Sequence, residues 1–398
     1  MSSSLPVLRL KRGEDRRVRH GHPWIYSNEI DTAQTPLATF QPGAAATVVD
    51  ARDEAIGTAY VNPHSLITAR LLTRRADAIL DRELTAERLR VALRLRERLY
   101  ATAHYRLVFG ESDNLPGLVL DRYADVVVGQ IATAGMEALR AEIEAAVADV
   151  LRPTALVWRN TGTARSLERL PEYVEAGIGA LPETLEVQEG ALRFHVPLAA
   201  AQKTGWFYDQ QANRDLFARL AKGAATVLDV FAYQGGWGLR AAAGFAQRVL
   251  CVDTSRASCE AIEANAALNG LSDRVDSLHA DAFDALKALR EEGQRFDAVV
   301  LDPPAFIKRR KDHKEGLTAY KRINQQAMKV LASDGLLVSC SCSHHLAEEE
   351  LLAAIHEAAI RTGRHATVLA RLQQSPDHPV HPAIRETAYL KGYICRVT

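Results

Sequence analysis

The stretch Val227-Leu-Asp-Val-Phe-Ala-Tyr-Gln-Gly-Gly-Trp-Gly238 decides the fold of the C-terminal half of this chain. A continuous apolar run leads there into a glycine-rich loop, and glycines let a backbone turn sharply and approach a ligand closely. Continuous apolar runs are typical of strands buried on both faces of a parallel sheet. Such runs recur at 227–232, 249–253, 275–280, 298–301 and 336–340, with helical patterns between them near 238–246, 255–268, 283–292 and 318–332. We therefore predict an α/β fold in which residues 188–398 form a doubly wound, Rossmann-like domain with ligands at the carboxyl ends of its parallel strands.

The N-terminal half has a different pattern. Residues 1–75 contain short strand-like runs between turn residues, which predicts a small β-rich domain. Residues 76–187 mix helical patterns at 81–102 and 136–151 with strand-like runs at 105–109, 117–121 and 126–131, which predicts a central α+β domain. Three domains agree with a length of 398 residues, which is long for a single core.

The composition restricts the class of protein. Hydrophobic residues make up 47% and charged residues 25%, as in a water-soluble globular protein. Neither a bilayer-spanning run nor a secretory signal is recognisable, and the five cysteines are an odd number confined to the C-terminal half. We therefore expect a cytoplasmic protein without a membrane partner. Because the formal net charge is zero, a nucleic-acid surface would have to be a local patch.

Two interpretations of the glycine-rich loop compete. The segment Gly236-Trp-Gly-Leu-Arg-Ala241 matches the dinucleotide pattern G-x-G-x-x-A, but this match alone is weak. Asp229 favours the other interpretation, because a carboxylate just before the loop would repel a pyrophosphate. S-adenosylmethionine carries an ammonium and a sulfonium and no phosphate, so we predict it as the cofactor.

Acidic residues follow the next two strands as well. Asp253 is placed to accept hydrogen bonds from ribose hydroxyls, and Asp281 to accept from an adenine amine, with Phe283 against the ring. An alternative stays open, in which the glycines form a structural turn and the aspartates cap helices.

The fourth and fifth predicted strands end in residues that suit catalysis. Asp302 precedes two prolines that fix an extended loop, and an acid there suits holding a nucleobase by its ring nitrogens. The fifth strand ends Ser339-Cys-Ser-Cys-Ser-His-His345. Methylation of cytosine at C5 needs a thiolate that adds to C6, because C5 is not nucleophilic by itself. Cys340 is expected to pack within the strand as a small hydrophobe, so Cys342 is the predicted nucleophile.

The same segment allows a metal cluster of Cys340, Cys342, His344 and His345. Spacings of one residue and the lack of a distant partner pair argue against zinc, so no metal is predicted. The two histidines could instead favour the thiolate electrostatically or cap the loop.

These motifs resemble the bacterial large-subunit ribosomal RNA cytosine-5 methyltransferase family, which joins a PUA domain to a class I methyltransferase domain. The resemblance covers essentially the whole chain and rests on these segments: Leu10-Lys-Arg-Gly-Glu14, Gly21-His-Pro-Trp-Ile-Tyr26, Gly110-Glu-Ser-Asp-Asn-Leu-Pro-Gly-Leu118, Lys203-Thr-Gly-Trp-Phe-Tyr-Asp-Gln210, Phe231-Ala-Tyr-Gln-Gly-Gly236, Asp302-Pro-Pro-Ala-Phe306, Ser341-Cys-Ser343, Asp377-His-Pro379 and Tyr389-Leu-Lys-Gly-Tyr-Ile-Cys-Arg396. It implies that Asp302 hydrogen-bonds the cytosine and that Cys342 attacks it. The chain departs from some members at Asp209-Gln-Gln211, where they read Asp-Gln-Arg, and at Ala199-Ala-Ala201, where they read Gln-Lys-Gly.

The predicted cofactor site combines the strand-end residues with those in the matching motifs. Its members are Lys203, Thr204, Phe207, Asp209, Gln210, Asp229, Phe231, Tyr233, Gly235, Gly236, Asp253, Asp281, Phe283 and Asp302.

Two basic segments predict contact with RNA. One opens the β-rich domain and has six Lys or Arg against two acids between positions 9 and 22; the other follows the predicted catalytic loop. Cations beside a reactive site suit a phosphodiester substrate. The predicted contacts are Arg9, Lys11, Arg12, Arg16, Arg17, Lys308, Arg309, Arg310 and Lys311. The base must leave its stack to reach a thiol, which implies base flipping.

The predicted partner is therefore ribosomal RNA, and a homodimer stays open. Three alternatives remain at this point: methylation of a purine ring nitrogen, which needs no thiol; an inactive RNA-binding assembly factor; and a dehydrogenase based on the weak glycine match.

Overall fold

A computed structural model describes residues 4–398 of the chain. The chain divides into two compact units. The first unit comprises the chain up to Leu185, together with Ala201–Trp206 and Asp377–Thr387. The second comprises Glu186–Ala200, Phe207–Pro376 and Ala388–Thr398. The sequence boundaries at residues 75 and 187 stay a prediction.

The first sheet of the first unit lies in the predicted β-rich segment. Its order is β1-β3-β4-β5-β2, and β1 pairs in parallel with β3 while the other pairs are antiparallel. The core below it contains Leu8, Val18, Ile25 and Val48. Its elements are β1 (Val7–Arg9), α1 (Asp15–Arg19), β2 (Trp24–Ile25), β3 (Ala44–Val49), β4 (Ala55–Val61) and β5 (Ala69–Thr73).

The second sheet of this unit has the order β10-β9-β8-β7-β6. The helix predicted at 136–151 is two helices, because the backbone leaves the helical conformation at Leu139. The first of them is capped by Thr133, whose hydroxyl accepts from the Met136 N–H. The elements are α2 (Arg82–Leu99), β6 (His104–Phe109), β7 (Leu118–Tyr123), β8 (Val126–Ile131), α3 (Ala134–Ala138), α4 (Arg140–Leu151), β9 (Ala155–Asn160), α5 (Thr163–Leu167) and β10 (Tyr173–Ile178).

A hairpin of β11 (Thr184–Glu189) and β12 (Leu192–Pro197) marks the point in sequence where the second unit begins, and a seven-stranded sheet follows. The order of that sheet is β15-β14-β13-β16-β17-β19-β18. Its elements are α6 (Gln211–Leu220), β13 (Thr226–Val230), α7 (Gly236–Gly244), β14 (Arg248–Asp253), α8 (Arg256–Leu268), β15 (Val275–His279), α9 (Ala282–Glu291), β16 (Phe296–Leu301), α10 (His313–Val330), β17 (Leu331–Ser341), α11 (Glu348–Arg361), β18 (Ala366–Gln373) and β19 (Lys391–Val397).

The predicted Rossmann-like fold is therefore confirmed, but the sheet is parallel only in part. Strands β13 to β17 run parallel, whereas β19 pairs antiparallel with both β17 and β18. The sequence predicts that strand β15 is buried on both faces, but Asp276 and His279 are exposed because the strand lies at the sheet edge. No helix within residues 4–398 is long and apolar enough to cross a bilayer.

The topology fixes where a ligand would bind. The chain passes from β13 outward to β14 and β15, and then returns to place β16 on the other side of β13. The carboxyl ends of β13 and β16 therefore form the switch point of the sheet, where α/β proteins of this kind bind their ligands.

Candidate functional site

The loop after β13 is held in an unusual backbone conformation. Phe231, Tyr233 and Gly235 have φ values of 66°, 52° and 81°, in the left-handed region that residues with a side chain rarely adopt. The Phe231 and Ala232 N–H groups donate to the Val252 carbonyl at 3.0 and 3.1 Å. Such strain concentrates at binding sites, which agrees with the cofactor loop predicted here.

Asp229 lies buried below this loop. Its Oδ2 accepts from the Gly238 N–H at 2.9 Å, and a Cβ at Gly238 would lie 2.5 Å from Cys251 Sγ. Its Oδ1 is buried and has no hydrogen-bond partner within residues 4–398. Burial raises the pKa of the Asp229 carboxyl to about 7, and the negative charge of Asp302 adds to this effect. A positively charged ligand group would supply the missing partner.

Asp302 comes directly after β16, the strand that neighbours β13. Its Oδ1 accepts from Gln210 Nε2 at 2.8 Å, and its Oδ2 accepts from Trp237 Nε1 at 3.0 Å. Burial raises the pKa of the Asp302 carboxyl to about 6, and the negative charge of Asp209 contributes. The carboxyl is thus fixed in orientation, and its protonated form is a minority that is still accessible near neutral pH.

Arg214 brings a buried positive charge to this region, but that charge is already shared. Its Nε donates to Glu189 Oε1 at 2.7 Å, and its guanidinium also donates to the Phe207 carbonyl at 3.0 Å. Asp229 and Asp302 therefore leave an excess of negative charge. This charge balance fits the ammonium and sulfonium of S-adenosylmethionine and opposes a phosphate-bearing cofactor.

The residues after the next two strands have clear local partners. Asp253 accepts from the Tyr233 N–H through Oδ2 and from the Ser255 N–H through Oδ1, each at 2.9 Å. Asp281 is exposed and caps α9, because its Oδ1 accepts from the Phe283 N–H at 2.8 Å. The capping alternative thus applies to Asp281 in the structure, and its contact with adenine stays a prediction.

Phe283 is half-buried, and one face of its ring is covered. The Arg322 guanidinium carbon lies 4.6 Å from the ring centroid. The sequence offered no signal for this contact, because α10 brings Arg322 there from outside the cofactor motifs.

Cys342 lies directly after β17, in a segment of residues 341–343 (the cysteine turn) that is fixed by one tyrosine of α10. Tyr320 Oη lies 2.7 Å from Ser341 Oγ and 2.9 Å from Ser343 Oγ, so both neighbours of the cysteine are fixed to one buried side chain of α10. Cys342 itself is half-buried, and its Sγ lies 4.0 Å from the carbonyl oxygen of Pro303, the residue after Asp302. The structure thus brings the predicted nucleophile to the predicted base-holding loop.

Cys340 differs from Cys342 in its surroundings. It is fully buried, and burial raises the pKa of its thiol well above the usual value, as does the charge of Asp302. Within residues 4–398, no group of three or more His, Cys, Asp or Glu side chains is arranged to hold a metal ion.

The Lys203–Gln210 motif is divided between the two units. Lys203 and Thr204 belong to the first unit, where the Thr204 hydroxyl donates to Asp121 Oδ2 at 2.5 Å. Asp209 and Gln210 belong to the second unit, where Asp209 Oδ2 accepts from the Tyr389 hydroxyl at 2.5 Å.

The basic residues also differ in their availability. Arg9 pairs with Asp53, Lys11 donates to the Asn28 carbonyl, and Arg17 binds both carboxylate oxygens of Glu29. Arg12 and Arg16 are exposed. In the segment after the catalytic loop all four cations are exposed, and of these only Arg309 forms an ion pair within residues 4–398, with Asp312.

The two carboxyls at the switch point predict that the ligand-free protein becomes less stable as the pH rises. Their pKa values, about 7 and about 6, lie above the ~3.9 of an unfolded aspartate. The folded protein therefore binds these protons more tightly than the unfolded chain does. Their stabilising contribution is complete below a pH of about 4 and is lost as the pH rises through the folded-state values.

Urea unfolding of the wild type and of Asp229→Asn tests this prediction. Asparagine cannot ionise, so the variant does not lose this contribution as the pH rises. The free energy of unfolding of Asp229→Asn minus that of the wild type should therefore increase between about pH 5 and pH 8, by on the order of 1–3 kcal/mol. A difference that stays constant across this range would contradict it.

Comparison with known proteins agrees with this site. Residues 8–74 match the model of a family described as a PUA-like domain, and residues 167–396 match that of an S-adenosylmethionine-dependent methyltransferase. A protein from Vibrio cholerae named ribosomal RNA large subunit methyltransferase I is 33% identical over 399 residues, with 98% of this chain and 99% of that protein covered. A protein of the same name from Shewanella amazonensis is 34% identical over 396 residues, with 98% and 99% covered.

Solved structures show the same fold. The methyltransferase SMU.776, crystallised with S-adenosylhomocysteine, has a TM-score of 0.83 at 20% identity, and an S-adenosylmethionine-dependent methyltransferase from Streptococcus mutans has a TM-score of 0.81 at 21% identity. In each case 98% of this chain and 100% of the other are covered. The predicted cofactor, S-adenosylmethionine, is thereby confirmed. The chain belongs to the ribosomal RNA large subunit methyltransferase I family, with a PUA-like domain followed by an S-adenosylmethionine-dependent methyltransferase domain.

Proposed function

We propose that this methyltransferase methylates C5 of a cytosine in ribosomal RNA of the large subunit, with Cys342 as nucleophile and Asp302 as the acid that holds the base. The observation that carries the proposal is the 4.0 Å distance between Cys342 Sγ and the carbonyl oxygen of Pro303. It places a half-exposed thiol beside the acid-bearing loop at the switch point of the sheet. The names of the relatives support ribosomal RNA as the substrate.

The chemistry requires this pair of groups. S-adenosylmethionine supplies an electrophilic methyl group when it is bound. The Cys342 thiolate adds to C6 of the cytosine, which makes C5 a nucleophile able to take that methyl group. A base then removes the C5 proton, and the thiol is eliminated.

Asp302 suits the base-holding role because of its raised pKa. A carboxyl that is neutral can donate to N3 of cytosine through its hydroxyl and accept from the exocyclic amine through its carbonyl oxygen. With a pKa of about 6 this form is accessible near neutral pH, and the proton on N3 would offset the negative charge that thiolate addition brings to the ring. Gln210 and Trp237 keep the carboxyl in place.

The RNA would be held by exposed cations near this site. Lys308, Arg309, Arg310 and Lys311 follow the Asp302 loop directly and are all exposed. We place the phosphodiester backbone of the RNA against this segment, with Arg12 and Arg16 as additional contacts on the PUA-like domain. The target base leaves its stack to reach the thiol.

The purine alternative makes no use of Cys342. A purine ring nitrogen is nucleophilic already, so a half-exposed cysteine beside Asp302 would have no role in its methylation. An inactive assembly factor would have no need of two neighbouring acids, Asp229 and Asp302, whose negative charge no protein cation within residues 4–398 matches.

The two cysteines give a direct test of the mechanism. Cys342→Ala should abolish methyl transfer and leave the binding of S-adenosylhomocysteine nearly unchanged, because the thiol contributes to chemistry and not to the cofactor site. Cys340→Ala is the matched control: it should keep turnover and lower the free energy of unfolding by on the order of 1 kcal/mol, as expected for a small core truncation. Both are measured by transfer of a labelled methyl group to ribosomal RNA. Full activity in Cys342→Ala would sink the assignment.

The exposed cations should make RNA affinity depend on salt. Changing Lys308, Arg309, Arg310 and Lys311 to glutamine should flatten the plot of log affinity against log salt by up to roughly 0.7–0.9 for each phosphate that these side chains neutralise. The control carries four changes on the amino-end side of the strands, at Arg219, Lys222, Arg248 and Arg274, which are also exposed. Equal slopes for the two variants would show that the segment is only a solvated surface.

A further inference from the structure

Lys391 lies beside the cysteine turn although it is distant from it in sequence. It is the first residue of β19 and pairs with Ser341 in the antiparallel ladder between β17 and β19. Its Nζ donates to the carbonyl oxygen of Ser343 at 2.7 Å. The ammonium therefore reaches past the end of β17 and binds the residue that follows Cys342.

The surroundings of this ammonium make its position costly. Lys391 is half-buried, and burial lowers the pKa of its ammonium, whereas the negative charges of Cys342 and Glu348 raise it. Lys391 forms no ion pair with an Asp or Glu within residues 4–398, since no carboxylate oxygen lies within 4.0 Å. A half-buried ammonium that is bound only to a neutral carbonyl is favoured when a further negative charge forms beside it.

We propose that Lys391 is a positioning residue whose ammonium stabilises the thiolate of Cys342 and so prepares it for attack. This inference rests on the proposed function, because it assigns a partner to the proposed nucleophile. In the step concerned, the Cys342 thiol releases its proton to water and Lys391 keeps its own protons. The electron pair on sulfur then becomes available for C6 of the cytosine.

Other titratable groups near the turn act differently. Tyr320, Cys340 and Lys391 each interact electrostatically with Cys342, and of these Lys391 carries the positive charge. Asp302, across the loop, opposes ionisation of a nearby thiol, as its effect on Cys340 shows. The exposed His344 follows Ser343, and its ring lies 5.9 Å from that of Tyr389.

The size of the effect follows from general electrostatics. An opposite charge within a few ångströms lowers a pKa by about 1–3 units. A free cysteine with a pKa of about 8.5 is only a few per cent thiolate at neutral pH, so a downward shift of about one unit would raise the thiolate fraction roughly tenfold.

Alkylation of Cys342 by iodoacetamide as a function of pH tests the inference without RNA. The rate at Cys342 is followed by mass spectrometry that resolves it from Cys340. In the wild type the midpoint should lie below about 8.5; Lys391→Met should raise it by about one unit and lower the rate at neutral pH roughly tenfold. Lys391→Arg should restore most of the shift, and Lys329→Met on α10 serves as a lysine control that should leave the midpoint unchanged.

Lys391→Gln separates charge from hydrogen bonding. Glutamine can still donate to the Ser343 carbonyl but carries no charge, so its midpoint should follow that of Lys391→Met. Binding of S-adenosylhomocysteine verifies that each variant is folded. A wild-type midpoint in Lys391→Met or Lys391→Gln would overturn the inference.

The outcomes also distinguish this inference from the proposed function. A shifted midpoint in a protein that does not methylate cytosine would contradict the proposed function and support the electrostatic role. An unshifted midpoint in a protein that does methylate cytosine would overturn the role of Lys391 alone.

Discussion

The carboxyls of Asp229, which is buried, and Asp302, which is half-buried, lie at the carboxyl ends of two adjacent parallel strands, and the site in the second unit depends on how these two acids are accommodated. Two acids this close in a low-dielectric site disfavour each other's ionisation, and burial raises both pKa values. The protein supplies neutral donors to them, namely the Gly238 N–H, Gln210 and Trp237. The buried Arg214 nearby forms an ion pair with Glu189. The remaining positive charge has to come from a ligand, which is what a sulfonium cofactor provides.

The position of the proposed nucleophile, Cys342, depends on contacts from helix α10 and strand β19. Tyr320 lies within hydrogen-bond distance of both serines that flank the cysteine, so it fixes the chain on either side of the nucleophile. Tyr320 comes from α10, which leads into β17, so the helix and the strand that it precedes fix the cysteine turn together. The antiparallel strand β19 adds Lys391 at the same turn. The mixed edge of the sheet therefore contributes to the site as well as to the fold.

The sequence predicted the parts of this site that lie at the ends of parallel strands. Asp229, Asp253, Asp302 and Cys342 each follow an apolar run, and the doubly wound topology brings such ends to one edge. Contacts that arise from packing were not predictable in the same way. Arg214 and Tyr320 come from helices without a motif of their own. Trp237 and Lys391 lie within recognised motifs, but nothing in those motifs indicates their contacts with Asp302 and Ser343. Strand β9 was missed because its apolar run ends in Arg159 and Asn160, both of which are buried by partners distant in sequence. Likewise, the number of basic residues in the opening segment does not reveal that Arg17 forms an ion pair with Glu29.

The identity of the methylated atom tests this account most directly. Ribosomal RNA from cells with the gene, without it, and with only the Cys342→Ala form can be digested and its modified nucleosides mapped by mass spectrometry. We predict one 5-methylcytidine in large-subunit RNA that is present only with the wild-type gene. Loss of a methylated purine instead, or retention of the 5-methylcytidine with the Cys342→Ala form, would contradict it.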